Sequence, residues 1–294
     1  MDTRRLQRAR AAKRGRRAAA NAVSVLPTLL TLGNLLAGFA AIFFASRAYK
    51  ADVFPAWAEV AAVFVFLGLC FDGLDGRVAR MTRNTSDLGE QLDSMADMVT
   101  FGVAPAFLTL QLIGLETPFG GGDGDRIFDR AVVAIAALYV ACAALRLARF
   151  NVEKHDGGTA GGKPYFFTGL PSPGAAGTVA SLVLLHQNLL HQFAGTPAEW
   201  TVKASTFTLV FILLLTALAM VSRLRYVHVM NRYMRGRARF EVIAKVVIVG
   251  ILLLMYPQGA LALAFAVYAL SAPVFWLWRR VGGNDRPTPT MHTN

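Results

Sequence analysis

Charged residues are scarce in this sequence, and so are cysteines. Asp, Glu, Lys and Arg make up 16% of its 294 residues, against about 25% in soluble domains, whereas 55% of the residues are hydrophobic. This composition argues against a soluble globular domain and predicts an integral membrane protein. The two cysteines, Cys70 and Cys142, lie in apolar runs, so neither a disulfide framework nor a thiolate metal site is expected.

Acidic residues are the rarer of the two charged kinds, with 18 against 30 basic ones. Residues 1–20 hold eight cations and a single acid, Asp2. This segment lacks the aromatic side chains on which bases stack, so nucleic-acid binding is not expected. We interpret it as a basic cytoplasmic tail or as an interfacial helix held on anionic lipid headgroups.

Eight apolar segments have lengths suited to helices that cross a lipid bilayer. They are residues 22–45, 56–80, 89–113, 131–150, 172–192, 204–222, 242–256 and 259–278. The seventh is short, and Pro257 with Gly259 makes a tight turn into the eighth, so these two form either a hairpin or a shallower excursion. Runs of alternating polar and apolar residues do not recur, so strands are not expected. The predicted fold is an all-α polytopic membrane bundle of about eight transmembrane helices.

The distribution of basic residues predicts the topology. The segment 223–241 and the two chain ends are rich in Lys and Arg, whereas the loop 114–130 is net acidic. The positive-inside rule therefore places both termini at the cytoplasmic side of the cell (inner) membrane. We expect five parts: a basic tail or interfacial helix at 1–21, a catalytic transmembrane core at 22–222, a basic cytoplasmic loop at 223–241, a transmembrane hairpin at 242–279 and a disordered tail at 280–294.

Four aspartates lie where the second and third apolar segments meet, in the stretch DGLDGRVARMTRNTSDLGEQLDSMAD. Asp72 and Asp75 are three residues apart and share a helix face, as do Asp93 and Asp97, four apart. Turn-forming residues lie between the pairs, so two helices can bring all four carboxylates together. Clustered carboxylates repel each other, and the hard cations Mg²⁺ or Mn²⁺ would offset that repulsion. Two such ions suit phosphoryl transfer. The alternative is salt bridging to nearby arginines.

Two glycines lie directly beside the first pair of aspartates. Gly73 and Gly76 each cost about 1 kcal/mol relative to alanine within a helix. Such a cost is explained by the close approach of a ligand or of a neighbouring helix. Arg80, one turn further along, offers guanidinium donors for a diphosphate.

These residues resemble the signature of a known family. The pattern Asp72-x2-Asp75-Gly76-x2-Ala79-Arg80-x8-Gly89-x3-Asp93-x3-Asp97 is similar to that of the CDP-alcohol phosphatidyltransferases. The resemblance implies a core of six transmembrane helices, two bound divalent cations, a CDP-linked lipid substrate and a homodimer. It implies that Asp72, Asp75 and Asp93 bind metal, and that Asp97 is the general base and also touches metal. Gly76, Ala79, Arg80 and Gly89 would contact CDP-diacylglycerol.

Outside the signature, four pieces resemble the phosphatidylserine synthase branch of that family. They are LPTLLTLGN (26–34), LDSMADMVTFGVAPA (92–106), LRLARFN (145–151) and FTGLPSP (167–173). This resemblance implies that the acceptor alcohol is L-serine. Within the first piece, Asn34 would reach the cytidine or diphosphate, or else join two helices by a hydrogen bond.

The last two pieces contain the candidate serine-binding residues. Arg146 and Arg149 are candidate clamps for the serine carboxylate, since arginine binds carboxylates through a bidentate fork. Asn151 would orient the ammonium or the hydroxyl. Thr168, Gly169 and Pro171 belong to a predicted loop that re-enters the membrane. The alternatives are anchoring of the arginines by the positive-inside rule and a simple helix start at the prolines.

Other functions remain open at this point. The same chemistry can serve glycerol 3-phosphate, an inositol phosphate or choline as acceptor. An ion-coupled transporter would also use intramembrane acids, but it predicts acids spread through the membrane depth and an internal repeat. A covalent intermediate is not expected, because the histidines at 155, 186, 191, 228 and 292 all lie away from the aspartates and no Ser–His or Cys–His pair accompanies them.

Overall fold

The protein is a bundle of long helices. The structure, a computed structural model, describes residues 26–47, 54–82, 87–116, 123–155, 166–192, 199–227 and 255–281. Its helices are α1 (Leu26–Arg47), α2 (Phe54–Thr82), α3 (Asp87–Asp97), α4 (Ala104–Glu116), α5 (Asp123–His155), α6 (Ser172–Gln192), α7 (Glu199–Val221) and α8 (Pro257–Val281). A π-helical turn, Met98–Val103, joins α3 to α4.

Six of the helical spans in the described residues are long and apolar enough to cross a membrane. They are α1, α2, the continuous rod from α3 to α4, α5, α7 and α8. The prediction of a polytopic membrane helical bundle is therefore confirmed. The segment at 172–192 also forms a helix, α6, which is not among these six spans and whose buried residues include the polar Thr178, Ser181 and Gln187.

Several sequence predictions fall outside the described residues. These are the basic tail at 1–21, the loop at 223–241 beyond residue 227, the span at 242–256 up to residue 254, and the tail beyond residue 281. The largest difference from a predicted boundary within the described residues is at the start of α5. The acidic loop 114–130 is helical from Asp123 onward, because α5 begins eight residues before the expected start at 131.

Small residues form the contact between the first helices and the π-helical turn. A Cβ added at Gly38 or at Gly68 would collide with Thr100, so α1 and α2 both approach this turn at backbone distance. The Thr100 hydroxyl donates to the Asn34 carbonyl oxygen at 2.9 Å. Helices in lipid associate through such close packing and interhelical hydrogen bonds, because lipid tails are as apolar as the side chains.

One short β-ladder, which the sequence does not predict, closes the bundle beside α6. β1 (Phe166–Thr168) pairs antiparallel with β2 (Arg225–Val227). The chain then turns at Gly169, whose φ is +84° and whose N–H donates to the Leu224 carbonyl oxygen at 2.8 Å. This pairing fixes the start of α6 against the end of α7.

A matched pair of glycine substitutions in α2 tests this packing. A Cβ at Gly68 would collide with Thr100 and lie 2.9 Å from the Asn34 side-chain oxygen, whereas a Cβ at Gly73 meets nothing within 4 Å. We expect Gly68→Ala to lower the free energy of unfolding by about 1–3 kcal/mol through overpacking. Gly73→Ala should leave it unchanged or raise it by up to about 1 kcal/mol. Thermal unfolding of both variants in detergent measures the difference, and equal melting temperatures would contradict the prediction.

Candidate active site

Three of the four signature aspartates meet where α2 and α3 converge. Asp72 and Asp75 come from α2 and Asp93 comes from α3. One carboxylate oxygen from each lies within 4.8 Å of the other two. Helical spacing puts Asp72 and Asp75 on one face of α2, and Asp93 of α3 lies beside that face.

The donor set of this cluster fits a hard divalent cation. All three groups offer carboxylate oxygens, which are the ligands that Mg²⁺ and Mn²⁺ prefer. Oxygens on opposite sides of one Mg²⁺ lie about 4.2 Å apart, so the separations of up to 4.8 Å need only small side-chain adjustments. Without a cation the three negative charges would repel one another at this distance.

Thr31 of α1 holds Asp75 in place. Its hydroxyl lies 3.0 Å from Asp75 Oδ2, to which it can donate, and 3.1 Å from the Pro27 carbonyl oxygen. The Asp75 side chain is only 5% exposed, and a hydrogen bond to a buried carboxylate offsets part of the cost of removing it from water. Thr31 was not among the predicted site residues, although it lies in the LPTLLTLGN piece one helical turn before Asn34.

Asp97 is not one of the three carboxylates that lie within 4.8 Å of one another, and it is held by Asn34. The Asn34 Nδ2 donates to Asp97 Oδ1 at 3.0 Å, and both side chains are buried. The structure thus shows the interhelical role foreseen for Asn34, whereas its predicted contact with CDP-diacylglycerol stays a prediction. Asp97 immediately precedes the π-helical turn, and such turns occur frequently at functional sites.

The positively charged side chain of Arg146, on α5, lies near this acidic site. Arg146 donates from Nη1 to the Ser172 Oγ at 2.6 Å, and its guanidinium interacts electrostatically with Asp97 and Asp72. Ser172, at the start of α6, is fully buried. The sequence signal that could have found it is its position inside FTGLPSP, directly after Pro171.

The other predicted serine-binding residues of α5, Arg149 and Asn151, have surroundings that differ from those of Arg146. Arg149 is exposed. Asn151 donates from Nδ2 to the Ser94 Oγ at 2.9 Å, and the Ser94 hydroxyl lies 3.3 Å from Asn151 Oδ1. This pair joins the end of α5 to α3, the helix that contains Asp93 and Asp97.

The shape of the loop before α6 is fixed by contacts of its backbone. A Cβ at Gly169 would collide with the Met220 carbonyl oxygen, and Pro171 accepts a hydrogen bond from the Ala175 N–H at 3.0 Å. The backbone of Thr168 pairs with that of Arg225 in the β-ladder. These contacts account for the loop's shape, and its contact with serine stays a prediction.

The predicted CDP-diacylglycerol residues flank the cluster on α2 and α3. A Cβ at Gly73 or at Gly76 would meet no atom of the described residues within 4 Å, so no neighbouring helix in that part of the chain explains these glycines. Gly89 is half-buried on α3. The side chains of Ala79 and Arg80 lie outside what the structure describes.

Comparison with known proteins identifies the family. The model of the CDP-alcohol phosphatidyltransferase family matches residues 24–255. A Helicobacter pylori (strain J99) protein named CDP-diacylglycerol–serine O-phosphatidyltransferase is 34% identical over 89% of this chain and 94% of its own length. A Saccharomyces cerevisiae protein of the same name is 40% identical over 53% of this chain and 50% of its own length. A Bacillus subtilis protein of that name is 34% identical over 50% of this chain and 73% of its own length. The predicted resemblance is therefore confirmed, and the chain belongs to the CDP-alcohol phosphatidyltransferase family.

Proposed function

We propose that this protein transfers the phosphatidyl group from CDP-diacylglycerol to L-serine, releasing CMP. The observation that carries this proposal is the 34% identity to a relative named for that reaction over 89% of the chain. The site geometry supports it, because a three-carboxylate cluster suits the diphosphate donor once cations are bound, and a nearby guanidinium suits an acceptor that carries a carboxylate.

The cluster would hold the divalent cations that the resemblance implies. Asp72, Asp75 and Asp93 would bind two ions, Mg²⁺ or Mn²⁺, with Asp97 as an additional ligand. When bound, these ions would offset the negative charge of the diphosphate and of the transition state.

Asp97 is proposed as the general base. Its Oδ1 accepts the hydrogen bond from Asn34, which orients the carboxylate and leaves Oδ2 to take the proton from the serine hydroxyl. The serine oxygen then attacks the phosphorus that bears the diacylglycerol, the bond from that phosphorus to the CMP oxygen breaks, and CMP leaves. Positioned general bases contribute about 10²–10⁴-fold in rate.

Arg146 is proposed as the clamp for the serine carboxylate. A guanidinium has five N–H donors, and within the described residues Ser172 is the one hydrogen-bond partner of Arg146. The remaining donors suit a bidentate carboxylate. Arg149, Asn151, Thr168, Gly169 and Pro171 stay predicted contacts of the serine.

The lipid donor is proposed to bind along α2 and α3 with its acyl chains in the bilayer. The open space beside Gly73 and Gly76 supports close approach of the CDP moiety, with Gly76, Ala79, Arg80 and Gly89 as its predicted contacts. The positive-inside pattern supports a cytoplasmic active site in the inner membrane. The homodimer implied by the resemblance stays a prediction.

An acceptor panel tests the proposed function. Purified protein in detergent, supplied with CDP-diacylglycerol and Mg²⁺ or Mn²⁺, should release CMP when L-serine is added. Glycerol 3-phosphate, an inositol phosphate and choline, each added alone, should release little. CMP release with another alcohol but not with serine would reassign the acceptor. A protein that releases no CMP under any condition, yet transports an ion across vesicles, would favour the transporter alternative.

Replacing the proposed base should remove turnover and leave the fold intact. Asp97→Asn keeps an oxygen that can accept the Asn34 hydrogen bond but cannot take a proton at neutral pH. We expect kcat for serine-dependent CMP release to fall by about 10²–10⁴-fold with little change in melting temperature. The matched control is Asp129→Asn, since Asp129 lies on α5 about 25 Å along the helix from Arg146. Near-normal turnover in Asp97→Asn would refute the assigned role.

Removing one ligand of the cluster should change the metal dependence. Asp93→Ala takes away one of the three carboxylates that lie within 4.8 Å of one another, so we expect weaker binding of Mg²⁺ and Mn²⁺ and loss of metal-dependent activity. Thermal unfolding as a function of added cation reports binding without requiring turnover, because a ligand of the folded state stabilises it. An unchanged cation titration in both assays would argue against this site.

A further inference from the structure

The last described helix, α8, packs against the start of α6 at backbone distance. A Cβ added at Gly174 would lie 2.7 Å from Cε1 of Tyr268, and a Cβ at Gly177 would collide with the Phe265 ring. These two glycines are three residues apart and so form one face of α6. The side chains of α8 therefore reach the α6 backbone within the first two turns after Ser172.

Two further contacts fix the rotation of α8 about its axis. The Tyr226 hydroxyl, on β2, donates to the Ala269 carbonyl oxygen at 3.0 Å, and the Thr178 hydroxyl lies 3.5 Å from the Phe265 carbonyl oxygen. The rings of Tyr226 and Tyr268 also pack at a centroid distance of 6.0 Å. Because these anchors flank Tyr268 on both sides, its side chain has a defined direction.

That direction places the Tyr268 ring on the first turn of α6, which begins at the Ser172 that Arg146 contacts. Cε1, the atom nearest Gly174, is bonded to the carbon that bears the hydroxyl, and Gly174 follows Ser172 by two residues. Tyr268 and Arg146 are near enough for a charge on the phenol to interact with the guanidinium, and Arg146 donates to the Ser172 hydroxyl oxygen. Within the described residues the Tyr268 hydroxyl has no hydrogen-bond partner, and the side chain is half-buried, so its donor is available to a small molecule held by Arg146.

We propose that Tyr268 is a specificity-determining residue of the acceptor site, where its hydroxyl donates a hydrogen bond to the acceptor's carboxylate beside Arg146. This inference rests on the proposed function, since it requires an amino-acid acceptor. Arg146 supplies charge and N–H donors, Ser172 orients its guanidinium, and Tyr268 supplies one more donor. The last described helix, α8, thereby completes the acceptor site.

Tyr268→Phe tests the role of the hydroxyl while keeping the ring that packs on Gly174. We expect KM for serine to rise roughly tenfold, as for the loss of one hydrogen bond to a charged group. KM for CDP-diacylglycerol and kcat at saturating serine should stay within about twofold, because the proposed hydrogen bond is to the acceptor alone. The matched control is Tyr256→Phe, which removes a hydroxyl directly before α8. That hydroxyl accepts a hydrogen bond from the Asn188 side chain at 2.8 Å. The serine KM of this variant should not change.

A double-mutant cycle tests whether Tyr268 and Arg146 act on the same group. If both bind one carboxylate, the effects of Tyr268→Phe and Arg146→Lys on serine KM should be non-additive, whereas independent sites would add. Additive effects would overturn the proposal that both residues bind one carboxylate.

The failure of this inference is distinguishable from failure of the proposed function. A wild-type protein that releases no CMP with serine refutes the proposed function before any variant is made. If the wild type uses serine, an unchanged serine KM in Tyr268→Phe overturns the inference alone. A fall in melting temperature with parallel increases in both KM values would overturn it too, because that result indicates a packing role.

Discussion

The burial of several carboxylates within a membrane helix bundle is the constraint on which the rest of this structure depends. Ionised groups at membrane depth are costly unless they are paired, hydrogen-bonded or bound to metal. The short polar side chain of Thr31 reaches Asp75, and that of Asn34 reaches Asp97. Arg146 of α5 adds a positive charge near Asp97 and Asp72. Helices α1 and α5 therefore act as supports for the acids of α2 and α3.

Short supporting side chains require close helices. A threonine or asparagine hydrogen-bonds across an interface only when the backbones approach, and the glycines that face Thr100 permit that approach. The same principle recurs on the other side of the bundle, where Gly174 and Gly177 admit the aromatic rings of α8. Small residues thus determine which polar groups meet, although they have no chemistry of their own.

The parts of this molecule that the sequence predicts are those set by local periodicity. Spacings of three and four residues place Asp72 with Asp75 and Asp93 with Asp97, and apolar runs locate the helices. Contacts between distant segments are not local, so Thr31, Ser172 and Tyr268 were missed and the β-ladder was not expected. Arg146 and Arg149 look equivalent in sequence. Only packing separates them, since one reaches Ser172 in the interior and the other is exposed.

The proposed donor and acceptor sites come from different parts of the chain and meet at one residue. The signature helices α2 and α3 would bind the diphosphate, whereas α5, α6 and α8 surround the proposed carboxylate site. Arg146 belongs to the second group, yet it interacts electrostatically with Asp97 and Asp72 of the first. A carboxylate bound to Arg146 would therefore bring the acceptor's hydroxyl, a few bonds away, towards the proposed base.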